Sequence, residues 1–291
     1  MAEKSAYFIP KNSPWPMVGC LGMFCTLFGA AHWLNNTSGV GGFGEPLFWA
    51  GIAIMLFMMF GWFGAVIRES LKGNYNAQVD TSFRMGMMWF IFSEVMFFGA
   101  FFGALFYARI LSVPWIGGHG HGVLTHAYLW QDYSATWPTN GPGDIGGHFQ
   151  AMGPWGLALI NTLLLLSSSV TVTIAHHALK AGHRGRLKVF LAFTFILGAL
   201  FLYSQANEYA EAYEHMNLTL HSGIYGSTFF LLTGFHGLHV TLGTTMLIVI
   251  WFRVLKGHFN KEHHFGFEAV AWYWHFVDVV WLCLFIFVYV L

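Results

Sequence analysis

Charge is what this chain of 291 residues has least of: Lys, Arg, Asp and Glu make up 9%, against about 25% in a typical soluble domain. A water-soluble enzyme of this length is close to excluded. Thirteen basic and thirteen acidic residues sum to zero, which removes the broad basic surface that nucleic acid binding requires. Cysteine is scarce too. Cys20, Cys25 and Cys283 fall in apolar stretches with neither paired nor metal-type spacing, so they read as small buried hydrophobes with no disulfide framework. A hydrophobic content of 56% rules out intrinsic disorder.

What the chain does have is long apolar runs. A helix needs about 20 mostly apolar residues to cross the hydrocarbon core, and seven such stretches occur. They lie near Met17 to Trp33, Pro46 to Ile67, Phe83 to Leu111, Pro154 to Ala178, Val189 to Glu208, Ile224 to Phe252 and Glu268 to Leu291. The third and sixth exceed a simple crossing and are expected to tilt or to extend past the bilayer. The N-terminus pairs Glu3 with Lys4, and Lys11 precedes Ser13-Pro14-Trp15-Pro16; lacking a basic start and a small-residue cleavage site, the first helix is read as retained.

Seven crossings place the N-terminus on the same side as the loops after the second, fourth and sixth helices. Lys4, Lys11, Arg68, Lys72, Arg84, Lys180, Arg184, Arg186, Lys188, Arg253, Lys256 and Lys261 all fall there, with Arg109 alone near the other side. Since Lys and Arg mark the cytoplasmic side, the N-terminus is expected inside and the C-terminus outside. The long outer stretch from Ser112 to Gly153 is rich in glycine and carries His119, His121, His126 and His148. Imidazoles suit zinc or copper, but this spacing fits no closed metal site and reads as a solvated loop.

An ionisable side chain deep in a membrane is costly and is a functional candidate by default. Glu94 and Asp278 each lie ten residues inside their helices, about 15 Å deep, and Glu208 lies nearer the outer end. His236 and His239 share a helix face at overlapping depth, and His275 precedes Asp278 by a turn. Glu94, His236, His239, His275 and Asp278 can therefore form one polar cluster. An interhelical hydrogen-bond network, a proton-handling site and haem ligation all remain open for it. Gly99 and Gly103 form a Gly-x-x-x-Gly pair expected to allow close helix approach. Arg68-Glu69, with Trp62 nearby, and Arg253 with Lys256 close two helices at the level of anionic headgroups. Function on these grounds lies between an autonomous proton-coupled transporter, a b-type membrane cytochrome and a subunit of a larger membrane assembly.

The sequence resembles cytochrome c oxidase subunit III of the haem-copper terminal oxidases. The resemblance rests on Ser13-Pro14-Trp15-Pro16, Val66-Ile67-Arg68-Glu69-Ser70, Ser93-Glu94-Val95-Met96-Phe97-Phe98, Ala175-His176-His177 and Glu208-Tyr209. It continues through Tyr225 to Phe230, Gly234-Phe235-His236-Gly237-Leu238-His239-Val240, His263-His264-Phe265-Gly266-Phe267-Glu268 and Trp272-Tyr273-Trp274-His275-Phe276-Val277-Asp278. It implies an all-α polytopic membrane protein, one membrane domain over residues 1–291, with seven helices arranged as two plus five around a V-shaped cleft holding phospholipids.

The same resemblance implies a non-catalytic subunit with no redox centre and no metal of its own. Haem and copper would belong to subunits I and II, with subunit I as the main contact; nucleic acid is not a partner. It further implies that Trp62, Arg68, Glu69, Phe90 and Arg253 surround lipids, and that Glu94 is a buried glutamate with a structural or proton-antenna role. The outer loop from Ser112 to Gly153 departs from the family pattern and favours a bacterial cytoplasmic membrane over the mitochondrial inner one.

Overall fold

The computed structural model describes residues 7–10, 12–35 and 42–291; Lys4, Lys11 and Glu3 lie outside the described residues. Every long element is a helix, and there is no strand among the described residues. Seven helices are long and apolar enough to cross a membrane: α1 Trp15–Asn35, α2 Gly44–Leu71, α3 Ala77–Phe106, α4 Leu157–Ala181, α5 Arg184–His215, α6 Gly223–Leu255 and α7 Phe265–Leu284. With α7 continued by a π-helical turn over Phe285–Val290, the expected boundaries agree to within a few residues except at two helices. α3 continues through a π-helical turn, Tyr107–Ser112, into Val113–Ile116, a run of 40 residues or about 60 Å. α5 runs on to His215, so Glu208 lies two turns before the end of its helix, still the nearer end.

Helix ends follow local chemistry. Asn76 Oδ1 accepts from the Val79 N–H at the start of α3, serving as an N-cap. α4 stops at Gly182, whose φ of 83° places it in the left-handed region. Its N–H reaches the Leu179 carbonyl and that of His183 reaches Ala178, the closure glycine permits. The stretch from Ser112 to Gly153, expected as a loop, holds the short helix Val123–Leu129 and a 3₁₀ turn at Gly120–Gly122. His119, His121 and His148 are exposed on it, and His126 packs on Gly118.

The chain divides into two compact units, residues 1–83 and 84–291, with the boundary inside α3. In the first, α1 and α2 form an antiparallel hairpin seamed by glycine. A Cβ on Gly29 would strike the Phe48 backbone, on Gly44 the Trp33 backbone, and on Gly51 the Thr26 backbone. Helices without a hydrophobic drive between them associate through such close packing. Gly44→Leu is therefore expected to destabilise the hairpin by about 3 kcal/mol, the upper range of overpacking. Increased protease cleavage within residues 1–83 of the membrane-embedded protein, with the second unit intact, would show it.

The second unit is built on tryptophan and hydroxyl pairs. Trp274 and Trp281 on α7 are fully buried, and their indole N–H groups donate to Ser168 Oγ and Thr162 Oγ1 on α4, both at 2.9 Å. The Trp274 ring fits where Gly198 of α5 and Gly243 of α6 leave room. Thr171 and Thr194 pair at 2.8 Å between α4 and α5, and Tyr209 and Thr233 at 2.6 Å between α5 and α6. On α3 the expected close approach at Gly99 and Gly103 is absent: a Cβ there would meet nothing within 4 Å among the described residues. This helix meets α6 and α7 instead through long side chains, notably Phe97, Phe98 and Phe101.

Elsewhere the surface is apolar. Trp89 on α3 is 68% exposed and Phe60 on α2 71%. Patches of this kind are liabilities in water and are ordinary for lipid-facing helices.

Candidate proton and lipid sites

Three separate arrangements stand where the sequence allowed a single cluster. The first joins Glu94 of α3 to His239 of α6, with Oε2 and Nε2 2.8 Å apart. His239 Nδ1 lies 2.6 Å from the Phe235 carbonyl. A carbonyl only accepts, so Nδ1 carries a hydrogen. One further proton is then shared along the Nε2 to Oε2 contact, either as imidazolium with carboxylate or as imidazole with carboxylic acid. Phe97, Phe98, Tyr273 and Phe276 ring the imidazole.

His236, one turn earlier, points elsewhere. Its Nε2 donates to the Val277 carbonyl of α7 at 3.2 Å, and its ring packs against Phe201 and Trp281. The third arrangement lies between α4 and α7. Ser169 Oγ stands 2.6 Å from His275 Nδ1, and Asp278 adjoins both residues. Glu208 belongs to none of these. It is fully buried on α5 beside Gln205 and Tyr289.

The residues expected at the headgroup level differ in their surroundings. In the first unit Trp62 and Arg68 are exposed, while Glu69 accepts from the Tyr75 hydroxyl at 2.8 Å. Burial first, then the adjoining Glu69 carboxylate, pushes the Tyr75 phenol above its ordinary pKa, so it stays protonated. In the second unit Phe90 is exposed but stacks on Tyr273. Arg253, half-buried, lays its guanidinium 4.3 Å over the Phe259 ring, and its Nε has no hydrogen-bond partner among the described residues. His258 next to it is held below the ordinary imidazole value by burial, then by Arg253 and Lys256, and is neutral at pH 7.

One arrangement was missed from sequence. Glu268 of α7 is met by Arg84 of α3, and by His264, His176 and Lys180. The spacing of His264 and Glu268, four residues apart at a helix start, was a usable signal. His176 comes from another helix and was not.

Residues 5–291 match the family model for cytochrome c oxidase subunit III. Among similar proteins, the cytochrome c oxidase subunit 3 of Tragelaphus oryx is 41% identical over 288 residues, covering 99% of this chain and 97% of its own. That of Bos mutus grunniens is 40% identical, covering 99% and 98%. These matches displace the transporter and b-type cytochrome readings. With seven membrane-length helices and likeness at this level over nearly its whole length, the chain belongs to the cytochrome c oxidase subunit III family.

Proposed function

We propose that this chain is the non-catalytic third subunit of a proton-pumping cytochrome c oxidase in an energy-transducing membrane. The full-length family match carries the reading. In it, haem and copper reside in subunits I and II, where cytochrome c is oxidised and oxygen reduced to water, and this chain packs chiefly on subunit I. The N-terminus lies inside and the C-terminus outside, because the basic residues of the second unit, from Arg84 through Lys180 and Lys188 to Arg253 and Lys256, stand at the helix ends this orientation turns inward. Mild-detergent purification with mass spectrometry tests it. Subunits I and II should accompany a tagged chain; a chain that purifies alone would overturn the assignment.

Two finer roles belong to this proposal. Arg253 binds a phospholipid headgroup: its open Nε and its aromatic support at Phe259 suit a phosphate, and Trp62, Arg68, Glu69 and Phe90 serve lipids at their own surfaces. Glu94 and His239 hold a proton for the uptake side, with His236, His275 and Asp278 as the neighbouring buried ionisable groups. Arg253→Ala should remove about one phospholipid per purified complex, read by phosphorus analysis. Glu94→Gln should keep the fold, since an amide still reaches His239, while proton pumping or survival over repeated turnovers falls. If pumping, turnover-dependent inactivation and lipid content all match the parent, both finer roles fail.

A further inference from the structure

A cluster outside the groups given a role above lies at the basic end of the second unit. Glu268, in the first turn of α7, engages the Arg84 guanidinium with Oε2. Its Oε1 faces His264 Nε2 at 3.2 Å and His176 Nε2 at 3.4 Å. These three atoms all lie within 4.8 Å of one another. Yet neither imidazole makes a hydrogen bond through Nε2 among the described residues, and His264, 7% exposed, makes none through either nitrogen.

The distances discriminate between two arrangements. A charge-assisted N–H to carboxylate hydrogen bond closes to about 2.7–2.9 Å. Two ligands on one tetrahedral zinc, with bonds of about 2.0–2.1 Å, stand about 3.3 Å apart by tetrahedral geometry. The two nitrogen-to-oxygen spacings have the second value, and neither contact has hydrogen-bond alignment. The two nitrogens lie within 4.8 Å of each other, so closing on one ion asks only a small turn of the partly exposed His176 ring.

We propose that His176, His264 and Glu268 bind a divalent transition metal of the zinc class, with three protein ligands and a fourth position for water. Two imidazoles and a carboxylate suit zinc rather than magnesium or calcium, which take oxygen ligands. Arg84 occupies the second carboxylate oxygen, so Glu268 binds through Oε1 alone and is held in orientation from its outer side. His176, with 22% of its side chain exposed, is the side of entry. Lys180 Nζ stands 3.9 Å from Oε1 and opposes a cation there, which makes the site loadable from solution rather than permanently filled.

The test is equilibrium binding of radioactive zinc to the chelator-stripped complex that the tagged chain purifies with. His264→Ala and His176→Ala should each remove one equivalent of bound zinc. Both variants keep the Arg84 and Glu268 pair, and unchanged subunit yield confirms that they fold. Lys180→Met should tighten zinc by about tenfold, as removal of a nearby like charge requires, with magnesium in excess failing to compete. Unchanged zinc stoichiometry in both histidine variants, or displacement by equimolar magnesium, overturns the site.

Discussion

Replacing Trp274 by alanine should destabilise the second unit by about 3–5 kcal/mol, the range for loss of a buried large aromatic. Every part of the side chain is committed. Its ring fills the space between Gly198 and Gly243, and its N–H is held by Ser168. The alanine variant leaves a void between α5 and α6 and takes from Ser168 Oγ the donor it accepts from, leaving only its own bond to the Leu165 carbonyl. Much of this cost persists in a bilayer, because the lost contribution is packing and a hydrogen bond rather than transfer out of water. Trp89→Ala, on the exposed surface of α3, supplies the control and should change stability by less than about 0.5 kcal/mol. Thermal inactivation of the purified complex is the readout. Equal midpoints for the two variants would contradict this account of the core.

The second large effect is expected at Arg84. Its guanidinium is the main counter-charge of a Glu268 side chain that is 90% shielded, being only 10% exposed. Removing one partner of a buried pair costs about 3–5 kcal/mol. Arg84 itself is a third exposed, so solvent screening reduces the figure for Arg84→Ala to about 2 kcal/mol. The double variant Arg84→Met with Glu268→Met should recover most of the loss, since a buried ion pair replaced by apolar side chains is often neutral. No recovery would mean that Glu268 contributes through its histidine neighbours rather than through the pair.

Much of this architecture is legible in the sequence, for a physical reason. Crossing a hydrocarbon core demands a continuous apolar run, so helix number and position are written locally. Depth is legible as well: counting 1.5 Å per residue brings Glu94 to the level where it meets His239. Direction around a helix axis between unknown neighbours is not. His236 and His239 share a face by spacing, yet the angular offset of three residues turns one toward the Val277 carbonyl and the other toward α3.

The glycines make the same point. Spacing alone singled out Gly99 and Gly103, where a Cβ would meet nothing within 4 Å among the described residues, while close helix approaches occur at Gly29, Gly44 and Gly51, where another helix is present to use them. Likewise Glu268 reads as the charged start of a helix until α3 and α4 bring Arg84 and His176 to it.

The two indole-to-hydroxyl pairs of α7 also sort the tryptophans optically. Trp274 and Trp281 are sealed with their N–H groups engaged, whereas Trp49, Trp62, Trp89 and Trp155 are each more than half exposed. Brominated lipids or small aqueous quenchers should therefore dim the second set and spare the first, and in deuterated buffer the indole protons of Trp274 and Trp281 should be among the last to exchange. Loosening of the second unit would register as a convergence of the two populations, with no label introduced.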